Sequence, residues 1–199
     1  MASDLQGVRD FVTGNATSVA TSSVLPTDSI WSAREFRSNS ATSKMLAIML
    51  AHERPVDLVT GQQIDAGKSL SWGNDKEYHH FFPRDYLRGQ GVTTRRSGAV
   101  ANIVLLTSVS NIRISNKPPS VYLSAIGKEV GEEELRSRLA KLLISDEAYE
   151  AAMADDYAAF LRARSRDLQA RALALVGGTT RPTSKAADII DDVDEESPA

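Results

Sequence analysis

Residues 102–107, Asn102-Ile103-Val104-Leu105-Leu106-Thr107, read as a buried strand. Directly after it, Ser108 can cap a short helix over Val109 to Ser115, which Pro118-Pro119 would stop. Upstream lies a second extended piece, Glu77-Tyr78-His79-His80-Phe81-Phe82-Pro83, separated from the first by a polar loop with Gly89-Gln90-Gly91 and Arg95-Arg96. Residues 76–117 therefore run strand, long loop, strand, helix.

Outside this segment the pattern is helical. Lys44 to Ala51 is apolar nearly all round, which predicts a buried helix from about Ala41 to His52, ended by Pro55. Leu135, Leu139, Leu142 and Leu143 share one face of a helix expected over Glu132 to Ile144. Ser145-Asp146 then caps a second helix predicted to run to about Val176, ended by Gly177-Gly178. Its apolar stripe suits packing, and a homodimer face is the other use for it.

The remaining stretches read as connections. Thr13 to Ser43 holds 13 Ser or Thr in 31 residues, with a turn at Leu25 to Asp28 leading into a helix over Ser29 to Arg37. Val56 to Gly73, with Asp57, Thr60-Gly61 and Ala66-Gly67, reads as short extended pieces joined by turns. The last stretch, Val176 to Ala199, has six acids and two bases and reads as a disordered acidic tail. The expected organisation is a connecting segment over 1–40, a main domain over 41–176 and a tail over 177–199.

Composition excludes several classes. The 199 residues are 42% hydrophobic and 25% charged, as in ordinary globular chains and unlike collagenous or wholly disordered ones. Without cysteine there are no disulfides, thiolate metal sites or cysteine nucleophiles, and a reducing cytoplasm is the simplest compartment. No apolar run reaches the roughly 18 residues that a bilayer span needs, so no membrane partner is expected. No GxxxxGK loop is present, which argues against nucleotide hydrolysis. The net charge of -3 argues weakly against nucleic acid, until it is resolved along the chain.

His79-His80 offers a metal ligand and a general base side by side, although a surface or core histidine pair would look the same. Asn102 precedes the apolar strand, and Asn111 follows nine residues later on the short helix. With His79, His80, Pro83, Asn102, Leu105-Leu106 and Asn111 in this order, the chain resembles the HNH, or ββα-metal, nuclease superfamily. Within it, His79 to Pro83 and Asn111 to Pro119 look closest to the HNH-like C-terminal domain of GmrSD-type modification-dependent restriction enzymes. The motif covers about forty residues, and the looser likeness spans roughly 41–175. Two features depart from the pattern: a long loop between His80 and Asn102, and Ala101-Asn102-Ile103-Val104 in place of Gly-Asn-Leu.

The resemblance implies an α+β, mainly helical fold with a small ββα-metal motif embedded in a helical domain. It implies an endonuclease or nickase acting on duplex DNA, the effector part of a bacterial restriction or anti-phage defence protein. A separate nucleotide-binding or sensor module, absent from this chain, would be its partner. A neutral imidazole suits the task of taking a proton from water near pH 7, which assigns His80 as general base. His79 and Asn111 would hold a divalent cation. With only a nitrogen and an amide oxygen from the protein, that ion is expected to be Mg2+ or else Mn2+. Asn102 would brace the loop and orient His80, unless it only forms a turn.

Local charge favours a phosphate ligand. Residues 76–117 carry seven bases and two acids, a net of +5, so the global -3 averages a basic site with an acidic tail. Arg113 and Lys117 beside the metal helix, and Arg84, Arg95 and Arg96 in the loop, are the phosphate-binding candidates, although a solvated basic loop would carry the same residues. The competing expectation is a catalytically weak DNA-binding or protein-interaction module on the same fold.

Overall fold

In the computed structural model, which describes residues 2–16, 25–65 and 78–176, two three-residue strands lie at the centre of a mainly helical α+β fold. Tyr78–His80 (β1) pairs antiparallel with Ile103–Leu105 (β2), with Tyr78 opposite Leu105, His79 opposite Val104 and His80 opposite Ile103. All three β2 residues are buried, as the unbroken apolar run requires of a strand covered on both faces. In chain order the helices are α1 (Ala2–Val12), α2 (Ser29–Ala33), α3 (Ala41–His52), α4 (Arg84–Gly89), α5 (Thr94–Ser97) and α6 (Ser108–Ile114). They are followed by α7 (Pro119–Val130), α8 (Glu132–Lys141), α9 (Asp146–Met153) and α10 (Tyr157–Val176).

Helix α3 has the predicted bounds. Its cap Ser40 accepts the Ser43 amide at 3.2 Å, and Leu46, Met49 and Leu50 are buried. The cap of α6 is Thr107 rather than Ser108. The Thr107 hydroxyl accepts the Ser110 amide at 3.3 Å, and the helix ends at Ser115, which has a φ of 53°.

Five expectations about elements need correction. Pro118-Pro119 does not only stop a helix: Pro119 opens α7, where its missing N–H and fixed φ suit the first turn. The expected single helix over 145–176 is two, because Asp155 takes a φ of 53° and Asp156 caps α10 by accepting the Ala159 amide at 2.9 Å. The helix over Glu132 to Ile144 stops at Lys141, and Leu143 takes a φ of 60°. The polar loop after Pro83 contains α4 and α5, the second capped by Thr93.

The fifth correction concerns the N-terminal third. The helix from Ser29 ends at Ala33 rather than Arg37 because the next residues join β-type hydrogen bonding. Glu35 bridges Ala99, Phe36 N–H donates to the Gly98 carbonyl at 2.8 Å, and Val100 N–H donates to the Arg34 carbonyl at 2.9 Å. Trp31 is fully buried in the main core. Its indole N–H donates to Gln169 on α10 at 3.0 Å, while Gln169 donates back to the Pro26 carbonyl at 2.8 Å. Residues 25–40, read as a connection, are thus built into the same core as α10. The tail expected over 177–199, the Ala66-Gly67 turn and the end of the Val56 to Gly73 segment lie outside the described residues.

The stripe on α10 is used inside the fold: Tyr157, Phe160, Leu161, Leu168 and Ala172 are buried among the other helices. Among the described residues, no helix is long and apolar enough to cross a membrane.

Truncating Trp31 to Ala removes a large, fully buried side chain and should cost about 3–5 kcal/mol. Urea unfolding followed by circular dichroism checks this. A cost below about 1 kcal/mol would be the value for a loosely attached connection rather than a core segment.

Candidate functional site

At the end of β1 the chain bends through Phe81 and Phe82 before Pro83 starts α4. The bend is held from β2's side by Asn102, the last residue of a 3-10 turn over Val100–Asn102. Asn102 is fully buried. Its Oδ1 accepts the Phe82 amide at 2.8 Å, and its Nδ2 donates to the carbonyls of Phe82 at 3.0 Å and Ser97 at 2.8 Å. Its own carbonyl accepts the Phe81 amide at 2.8 Å. Every polar group of this side chain is therefore committed to backbone. Asn102 is a brace on the two residues after His80 and is not placed to touch a substrate.

Consecutive residues of an extended strand point to opposite faces, and His79 and His80 both lie within β1, so their side chains leave the strand on opposite sides just before the bend. Both side chains are partly buried. Burial, then the Arg84 guanidinium, then the neighbouring His79 pull the His80 imidazole down to about 4. Near pH 7 it is neutral, the form that accepts a proton.

Asn111 lies in the middle of α6, with its backbone N–H donating to the Thr107 carbonyl at 2.9 Å and its carbonyl accepting from Ser115 at 2.8 Å. Only Leu106 and Thr107 separate β2 from α6, so the order β1, β2, α6 is the strand, strand, helix order expected from sequence. Among the described residues, no three of His, Asp and Glu gather in a way that could hold a metal ion. The donors offered by His79 and Asn111, one imidazole nitrogen and one amide oxygen, fit a weakly held divalent ion with most of its shell left to other oxygens. They do not fit a closed structural site.

The five cationic candidates separate into two groups. Arg113 forms an ion pair with Glu129 on α7, and the Lys117 ammonium donates to the Arg113 carbonyl at 3.2 Å, closing the C-terminal end of α6. Both have partners within the chain, although both side chains stay exposed. Arg84, Arg95 and Arg96 are exposed and make no ion pair among the described residues.

Three supporting residues were missed by sequence reasoning. Tyr122 on α7 donates its hydroxyl to the Phe81 carbonyl at 2.9 Å, adding a third hold on the bend. Arg164 on α10 is fully buried, and one of its nitrogens donates to the Ile103 carbonyl of β2 at 2.9 Å and the Leu142 carbonyl at 3.0 Å. Burial pulls its guanidinium down to about 9, against the opposing pull of Asp167 and Tyr122, so it stays charged at pH 7. Asp57 is also fully buried and receives the Thr107 amide at the start of α6. Its turn was legible, whereas the distant acceptor of the Tyr122 hydroxyl left no local signal.

Comparisons with protein-family models, with curated proteins and with solved structures found no match to this chain.

Replacing Asn102 by Ala would leave one buried N–H and two carbonyls unpaired. With roughly 1–3 kcal/mol for each unsatisfied group, a loss of at least about 3 kcal/mol is expected in urea unfolding. A near-neutral outcome would mean that the bend does not depend on this amide. His80 gives a pH signature. Its folded value of about 4 lies below the ordinary 6.5, so the unfolded chain holds more protons between the two. Its contribution to stability is present above pH 6.5 and is lost as pH falls toward 4. His80→Gln should therefore flatten the dependence of unfolding free energy on pH in that window, while leaving the steeper loss below it to the carboxylates.

Proposed function

We propose that this chain is a metal-dependent DNA endonuclease or nicking domain of the ββα-metal kind. One observation carries the reading: the strand ending in His79-His80 pairs with the strand that follows Asn102. The Asn102 amide holds the backbone immediately after His80, and the next element carries Asn111. All four residues, singled out by type and spacing alone, lie on or beside these consecutive elements.

Hydrolysis of a phosphodiester needs a proton acceptor for water and compensation for charge on the phosphate and leaving oxygens. His80, neutral at pH 7, takes the proton. Asn102 and Tyr122 keep the backbone after His80 from moving, so the imidazole needs little reorganisation when it acts. A bound Mg2+ or Mn2+ would supply Lewis acidity to the phosphate. His79 and Asn111 are the residues that would hold that ion, one from the strand and one from the helix. Arg84 stands close enough to His80 to depress its basicity, and with Arg95 and Arg96 it offers exposed positive charge to the DNA backbone. The absence of cysteine fits action in a reducing cytoplasm, and a restriction or anti-phage effector working with a separate sensor module is the setting the sequence likeness favours.

A second reading is a binding module without strong catalysis on the same fold. The ion pair of Arg113 with Glu129 favours it, because it offsets one cation of a phosphate track beside α6.

Nicking of supercoiled plasmid with Mg2+ or Mn2+ tests the choice. His80→Ala is expected to lower the rate at least about 100-fold at saturating metal, the usual size of a lost general base. Asn111→Ala and His79→Ala should raise the metal concentration needed for half-maximal rate. Metal-dependent nicking that survives all three substitutions would remove the site assignment, and a wild-type chain that binds DNA without nicking it would favour the second reading.

A further inference from the structure

The turn over residues 55–64 is closed on itself and bound from both sides. Asp57 N–H donates to the Gln62 carbonyl at 2.7 Å, Gly61 N–H to the Asp57 carbonyl at 2.9 Å and Ile64 N–H to the Pro55 carbonyl at 2.9 Å. From α8, Arg138 donates to the carbonyls of Leu58 at 3.1 Å and Val59 at 2.9 Å. Arg138 lies so close to Gly61 that a Cβ there would come within 2.7 Å of the guanidinium. With a φ of 71° at Gly61 as well, this position admits little but glycine.

Inside this rigid turn the Asp57 carboxylate divides its two oxygens. Oδ1 accepts the amides of Val59 at 3.1 Å and Thr60 at 2.8 Å and the Thr60 hydroxyl at 3.0 Å, all within the turn, together with the Ser110 hydroxyl of α6. Oδ2 accepts the Thr107 amide, at the cap of α6, at 2.8 Å. Ser110 is fully buried and directly precedes Asn111. A seven-residue helix has too few internal hydrogen bonds to fix its own position. What fixes the first turn of α6 is this carboxylate, a buried charge satisfied by five donors.

We propose that Asp57 is a positioning residue for the metal-holding helix: by locking Thr107 and Ser110 to the 55–64 turn it sets where Asn111 stands relative to β1. The inference rests on the endonuclease reading above. Asp57→Asn is the sharp substitution. An amide oxygen in the place of Oδ1 keeps the bonds inside the turn, but the amide nitrogen then faces the Thr107 N–H, donor against donor. The turn and its bond to the Ser110 hydroxyl survive, and the link to the Thr107 amide breaks. Ser110→Ala removes the other link alone.

The test uses the full chain and Mn2+ alone as the probe, measuring its dissociation constant by calorimetry, the Mn2+ dependence of plasmid nicking, and amide hydrogen exchange over residues 107–111. Asp57→Asn should raise the Mn2+ dissociation constant and the half-maximal Mn2+ concentration together by about tenfold, the size seen when a group orienting metal ligands is lost. The rate at saturating Mn2+ should stay within roughly threefold of wild type, and amides 107–111 should exchange faster. Ser110→Ala should shift the same constants in the same direction by about threefold, and it decides the matter alone if Asp57→Asn does not fold. Unchanged Mn2+ affinity in the folded variants, or a lost rate at saturating Mn2+ with unchanged affinity, would overturn the positioning role while leaving the endonuclease reading standing. A wild-type chain that binds no Mn2+ would remove that reading and the positioning role with it.

Discussion

A single buried amide governs the centre of this fold. A two-stranded ribbon of three-residue strands is too small to hold its own geometry, and the chain must leave β1 through a bend whose peptide groups face the core. Asn102 resolves this because its side chain presents one acceptor and two donors in a plane. It thereby pairs with an N–H and a carbonyl of the same residue, Phe82, and with the Ser97 carbonyl. A carboxylate has no donors for the two carbonyls, and an aliphatic side chain would leave all three groups dry. The local chemistry of the bend therefore selects asparagine whatever the molecule does.

Around that amide the helical shell is tied to the ribbon by polar groups reaching inward from far along the chain. Tyr122 from α7 takes the Phe81 carbonyl, and Arg164 from α10 takes the Ile103 carbonyl. Phe81 stacks on Phe160 of α10 with ring centroids 4.8 Å apart and planes 5° apart, and Phe82 packs on Tyr157 and Phe160. The aromatic pair after the histidines thus anchors the bend from the side-chain direction while Asn102 holds its backbone. Arg164 carries a cost, since its Nε and Nη1 find no acceptor among the described residues. What offsets it is the pair of carbonyls it joins, one on β2 and one at the end of α8.

The parts legible in the sequence were those written in local pattern. The apolar run at 103–105, the helix at 41–52 and the Ser145 cap each depend on residues within a turn or two. The parts that were not legible depend on partners far away. Trp31 sits in a Ser/Thr-rich stretch whose composition reads as a connection, and only Gln169, 138 positions on, gives its indole a reason to be buried. The α9–α10 boundary was hidden because both helices bury an apolar face, so the stripe runs on through the break. The adjacent acids Asp155 and Asp156 were the only mark of it. Of the candidate site, residue types and order were legible. The roles of Asp57 and Tyr122 were not, because a carboxylate in a turn and a tyrosine in a helix are unremarkable until their acceptors or donors are known.

Charge shows the same limit from the other direction. A net of +5 over residues 76–117 treats all seven cations as equivalent. In the fold, Arg88 pairs with Asp85 at 2.7 Å, Arg113 pairs with Glu129, and Lys117 closes the end of α6. Exposed pairs of this kind are worth little to stability, but they cancel the field that a polyanion would feel. The described cations of this segment outside any ion pair are Arg84, Arg95 and Arg96, carried by the connection between β1 and β2, and Lys117, whose bond to a neutral carbonyl at the end of α6 leaves its charge in place. On the proposed reading, a polyanion would meet free positive charge on both sides of β2, from the connection before it and from the end of the helix after it, so the stretch between His80 and Asn102 would share in holding phosphates.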